Sequence, residues 1–139
     1  MRYVTREHIG IDRAASAWLL RRFIDPAAEF VFRPGPPYNI GEDIPFDIPG
    51  VELSHHGGKC TFEILLVKHG LSDPALSEIA FIIHGADIPA DADITLESPG
   101  FALLASGFQL TQTSDEAILA RWFEILDALY AALCNRLGR

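Results

Sequence analysis

The chain is poor in sulfur, in positive charge and in long apolar runs. Its 139 residues include two cysteines and one methionine. Cys60 and Cys134 are too few for a disulfide scaffold, and a small number of reduced thiols is what a cytoplasmic protein carries. Basic residues are scarce: 11 Lys and Arg stand against 19 Asp and Glu, a formal net charge of −8. Nucleic-acid binding and adhesion to anionic membranes both rest on Lys and Arg contacts, so the balance argues against either partner. No stretch reaches the ~20 apolar residues that a membrane-spanning helix needs. The opening residues, MRYVTREH, place charges where a signal peptide would have its apolar stretch. The sequence also lacks G-x-S-x-G, the phosphate-binding G-x-x-x-x-G-K and G-x-G-x-x-G, which removes the serine-hydrolase, P-loop and dinucleotide readings. These absences describe a cytoplasmic chain without a nucleic-acid or membrane partner.

What is present can fold. Hydrophobic residues make up 49% of the chain and charged ones 22%, a balance unlike that of disordered chains. Residues 1–139 are the length of one ordinary domain, and the Pro/Gly-dense stretch at 33–41 reads as a loop inside it. Strands are predicted near residues 2–5 and 29–33, the second alternating around Phe30 and Phe32, with short extended pieces at 44–46 and 50–53. A helix over 11–24 stops before Asp25-Pro26. Another covers 62–69, with Thr61 as its N-cap. A third opens at Pro74 and ends near Gly85, and a fourth covers 100–108. The last runs over 115–137, capped by Ser114, with Leu119, Trp122, Phe123, Leu126, Leu129, Tyr130, Leu133 and Leu137 on one face. The fold class is α+β and helix-rich: a single domain with a small N-terminal β-sheet packed against four or five helices. Trp18 and Trp122 belong to its core.

The informative residues are polar ones on faces that should be buried. In the first helix Arg22 falls within the stripe of Ile11, Ala15 and Trp18, and Asp12 lies on its flank. A buried guanidinium must be paired, so Arg22 either meets a carboxylate or aims at an anion. His84 and Asp87 stand at i and i+3, a spacing that suits two metal ligands or a carboxylate orienting a histidine, provided that Gly85 does not end the helix first. The densest group is the segment 54–63, SHHGGKCTFE, which offers two imidazoles, a thiol and a carboxylate across a Gly-Gly turn. As a metal site it supplies His55 or His56 plus Cys60 or Glu63, with the remaining ligands from His84, Asp87 or His8. Cys60 also stands near a helix N-terminus, a position that lowers a thiol pKa. The plainer alternative is a tight turn with Cys60 buried as a small hydrophobe.

Thr5-Arg6 and the run Asp12-Arg13-x-Ala15-x-x-Trp18-Leu19-Leu20-Arg21-Arg22-Phe23-Ile24-Asp25-Pro26 resemble the opening of the chromate-resistance ChrB C-terminal domain family. So do Phe46-Asp47-Ile48-Pro49-Gly50-Val51, His55-x-Gly57-x-x-Cys60-Thr61-Phe62-Glu63, Gly70-Leu71-x-Asp73-Pro74-Ala75-Leu76 and Ile83-His84-x-Ala86-Asp87. The resemblance implies a role in chromate resistance. Longer members carry an N-terminal region and act as chromate-responsive regulators, and fusions to rhodanese-type domains point to oxyanion or sulfur chemistry. The family segments coincide with the misplaced polar residues.

The expectation is therefore one polar pocket holding a divalent metal through His55, Glu63, His84, Asp87 and Cys60. Zinc is indicated by ligand type, and iron or manganese if carboxylates dominate. Arg13 or Arg22, with Asp12 and His56, would line a place for a small inorganic oxyanion such as chromate, an analogue of sulfate. A rival reading is a non-catalytic oxyanion-sensing or interaction domain. In it the polar set is a structural network, and a second stripe on the last helix (Ile118, Ile125 and Ala132) makes a homodimer interface. A third reading is a thiol-dependent reductase using Cys60.

Overall fold

Three consecutive buried residues, Tyr3, Val4 and Thr5, mark β1 (Arg2–Arg6) as the central strand of a three-stranded sheet, between β2 (Glu29–Arg33) and β3 (Ile44–Pro45). The computed structural model describes residues 1–139. Both pairings are parallel: Arg2 stands opposite Glu29, Arg6 opposite Arg33, and Tyr3 opposite Ile44. Parallel neighbours need a crossover, and α1 (Ile11–Leu19) supplies the one between β1 and β2. Every residue of α1 is buried. Its end widens into a π-helical turn, Leu20–Ile24, in which the Asp25 amide reaches back to the Leu20 carbonyl at 2.6 Å.

Around α1 pack α2 (Thr61–Lys68), α3 (Pro74–Asp87) and α5 (Asp115–Arg136), while α4 (Ser98–Thr111) lies mainly on α3. The interior is one continuous cluster that includes Trp18, Phe46, Phe62, Ile83 and Trp122. This is the helix-rich α+β architecture that the periodicity indicates. Ser114 caps α5 by accepting the Ala117 amide hydrogen, and Asp73 does the same for α3 through the Ala75 amide. No helix is long and apolar enough to cross a membrane.

Four expectations are corrected. The stretch 50–53 is a run of bends, because Gly50 takes φ +89° and the Val51 amide closes back on the Ile48 carbonyl. Cys60, and not Thr61, is the N-cap of α2; Thr61 is the first helical residue. Gly85 does not end α3, which continues to Asp87. It lets α4 approach: a Cβ there would sit 2.4 Å from Ser98 Oγ and 2.6 Å from an Ile94 methyl carbon. Finally, the second stripe of α5 is only partly open: Ile118 lies inside the core and Ile125 packs against it, while Ala132 is exposed. α4 carries no charged residue and leaves Leu103 and Leu110 75% and 87% exposed.

Candidate functional site

The site begins with Asp12 in the first turn of α1, a carboxylate only 2% exposed. It does not cap its own helix. Its Oδ1 accepts the Phe62 amide hydrogen at 3.0 Å and its Oδ2 the Thr61 amide hydrogen at 2.9 Å, so it caps α2 from 49 and 50 residues away in sequence. Free amides and the helix dipole at an N-terminus both favour a negative group there. The same Oδ2 lies 3.0 Å from His55 Nε2.

Asp47 stands beside Asp12. It occupies the left-handed region with φ +51°, unusual outside glycine. It accepts the Thr61 hydroxyl at 2.9 Å and the Arg13 Nε–H at 2.9 Å. Arg13 also donates to the carbonyls of Glu7 and His8. Asp87, from the last turn of α3, completes the group. Its Oδ2 is buried without a hydrogen bond, although His55 Nε2 is 3.1 Å away, too poorly aligned to make one. Three aspartates thus converge on one imidazole, and Asp12, His55 and Asp87 each offer a ligand atom within 4.8 Å of the others.

The charges respond to this crowding. The hydrogen bond to Asp12 holds the imidazolium of His55, and the carboxylates of Asp12, Asp87 and Asp47 add to it; its pKa rises to about 9 despite some burial. Burial, then the neighbouring Asp12 charge, pushes Asp87 up to about 6. Asp47 is raised for the same two reasons, with Arg13 opposing.

A second group adjoins the first through α3. Glu63 Oε1 accepts the Cys60 amide hydrogen at 3.0 Å and lies 2.5 Å from His84 Nδ1. The other ring nitrogen of His84 is 2.6 Å from Asp91 Oδ2. Burial works against the imidazolium, but the hydrogen bonds to Glu63 and Asp91 outweigh it and raise the His84 pKa. Cys60, Glu63 and His84 form the other set of ligand atoms within 4.8 Å of one another.

The five residues expected to share one pocket are therefore divided: His55 and Asp87 join Asp12, whereas Cys60 and Glu63 join His84. His56 belongs to neither set. It pairs with Lys59 across the Gly-Gly turn and its ring nitrogen meets the Val51 carbonyl at 2.9 Å. Arg22 is also elsewhere. It is 40% exposed, forms a two-pronged pair with Asp127 at 2.9 Å for each prong, and lies over the Phe123 ring. Cys60 is fully buried, and burial, followed by the Asp12 charge, pushes its thiol up, the reverse of the expected activation. Asp47 and Asp91 are functional candidates that sequence reasoning missed. Asp47 stands inside one of the quoted family segments, which was the available signal; Asp91, in the 3₁₀ turn Pro89–Asp91, had none.

Fold and site together define a helix-rich α+β domain organised around buried carboxylates that meet imidazoles and guanidiniums. The chain belongs to the family described as ChrB, C-terminal domain, which it matches over residues 3–133. Protein ChrB of Cupriavidus metallidurans is 34% identical over 129 residues, covering 92% of this chain and 39% of that relative. The chain thus spans about two fifths of the relative's length. No solved structure matches it.

Proposed function

We propose that this is a chromate-resistance-type domain that binds a divalent cation at Asp12, His55 and Asp87, and a small inorganic oxyanion nearby. The observation that carries the metal half is the buried Asp87 Oδ2, left without a hydrogen bond and facing another carboxylate and an imidazole. A buried, unsatisfied carboxylate oxygen is costly, and a cation would satisfy it. Two carboxylates and one imidazole suit zinc, iron or manganese, and the carboxylate majority moves the preference toward the harder ions. Cys60, Glu63 and His84 form a second donor set, whose thiol and imidazole suit zinc. The oxyanion half cannot use Arg22, which Asp127 occupies at the surface, and rests instead on Arg13.

One observation favours the non-catalytic rival. With its pKa near 9, His55 carries a proton at neutral pH and can balance Asp12 and Asp87 without a metal. Metal analysis of the purified protein separates the two readings. Bound zinc, iron or manganese near one equivalent, lost in His55→Ala and Asp87→Ala, is the expected result. No metal in the wild-type protein after purification and reloading would refute the metal half.

A further inference from the structure

The carboxyl ends of β1 and β2 carry Arg6 and Arg33, the last pair in their parallel register. Paired residues on parallel neighbours project from the same side of a sheet, so both guanidiniums leave one edge together. Ligands of open parallel sheets bind beyond this edge. Arg13 reaches the same place from α1, and the three arginines line a cavity of about 230 Å³.

Arg33 is the anomaly. No carboxylate and no hydrogen-bond acceptor meets its guanidinium, and its Nε is buried. A chain with 19 acidic residues against 11 basic ones leaves this cation unpaired. Arg6 and Arg13 are partly engaged: the Arg6 Nε–H donates to the Asp47 carbonyl and its guanidinium is 3.7 Å from the Asp47 carboxylate, while Arg13 Nε–H donates to that carboxylate. The acid within the cavity wall, Glu7, lies 3.6 Å from His8 and pairs with no arginine. Three guanidiniums against Glu7 and Asp47 leave a local positive excess inside an acidic protein.

The cavity is also prebuilt. The Tyr38 ring packs so closely on the backbone of Gly35 that a Cβ there would be 2.4 Å from it. His8, also in the wall, holds φ +61°, a conformation that non-glycine residues keep where the surroundings impose it. At about 230 Å³ the space is below the 300–1,000 Å³ usual for organic ligands. A planar fork of donors with no acceptor to meet suits a tetrahedral oxyanion.

We infer that this cavity is a binding site for a small tetrahedral dianion of the sulfate class, which includes chromate, with Arg33 as its principal donor. Arg6 completes the site, with the Tyr38 side chain in its wall, and Arg13 sets its charge. The inference deepens the oxyanion half of the proposed function and is independent of the metal half.

Calorimetric titration with sulfate at low ionic strength tests it, with chloride as the control and chromate as a second probe. The wild-type protein should show saturable binding of about one equivalent. Arg33→Gln should weaken it by about tenfold or more, which corresponds to roughly 1.4 kcal/mol, and Arg33→Lys should restore part of the loss. Arg6→Gln, which removes the second guanidinium of the cavity wall, should cost about two- to tenfold and serves if Arg33→Gln fails to fold. Treatment with a chelator should leave sulfate binding as it was, so loss of metal and loss of anion are read separately. Absence of saturable sulfate binding, or equal affinity in the wild-type and a folded Arg33→Gln or Arg6→Gln protein, would overturn the inference.

Discussion

Replacing Asp12 with alanine should cost far more stability than its place on a helix flank suggests. The carboxylate is 2% exposed and accepts the amide hydrogens of Thr61 and Phe62, both buried residues. Alanine leaves two donors of α2 without partners. Each buried unsatisfied donor costs about 1–3 kcal/mol, a range that overlaps the ~0.5–2 kcal/mol measured for lost N-caps. Part of this is recovered, because the Asp12 charge is one cause of the raised pKa values of Asp47 and Asp87, and removing it relieves both. The net loss should be about 2–4 kcal/mol, against a typical total of roughly 5–15 kcal/mol. Asp12→Asn keeps one acceptor oxygen but turns its amide donors toward the other N–H, so it should fall between alanine and wild type. Urea unfolding followed by circular dichroism measures all three proteins, with equal m-values required for a comparison of midpoints. A loss below about 1 kcal/mol for Asp12→Ala would show that α2 is not held by this carboxylate, and the account of the site would fail with it.

Two further outcomes follow from packing. Gly85→Ala should destabilise the domain by about 1–3 kcal/mol, because the new methyl meets Ser98 and Ile94 where α3 and α4 touch; thermal melts read the loss, and a neutral substitution would mean that the two helices are not in close contact. In the folded protein a water-soluble disulfide reagent should modify Cys134 readily and Cys60 only after unfolding, since Cys60 is fully buried and thiolate is the reactive form. Cys60→Ser should leave the fast phase unchanged; loss of that phase would restore the reductase reading.

The fold was legible wherever a repeat of apolar residues ran uninterrupted. The long helix Asp115–Arg136 and the strand Glu29–Arg33 follow directly from such patterns. Arg22 was misplaced because a regular 100° step was carried through to Ile24. The structure widens at Leu20–Ile24 into a π-helical turn, which shifts the phase and sends Arg22 to the surface beside Asp127. The candidate site was legible as a set of residue types but not as a grouping. Asp12 acts on amides 49 and 50 positions away, and Asp47 takes its place through a backbone conformation that no periodicity announces. Tertiary approach, and not local spacing, decided that His55 joins aspartates while Cys60 joins Glu63 and His84. Arg33 closed a predicted strand, but its lack of a partner is visible only once the surrounding chain is folded.

The uncharged helix Ser98–Thr111, with Leu103 and Leu110 largely in water, has a colloidal consequence. Apolar surface of this kind draws molecules together unless long-range repulsion keeps them apart. Here the repulsion comes from eight excess negative charges, spread over the rest of the chain while the helix itself contributes none. As acid neutralises those charges, or salt screens them beyond the Debye length, the sticky helix remains as apolar as before. The domain's dispersal in solution is therefore a property of its charge balance, and acidification should reduce its solubility before it unfolds the core.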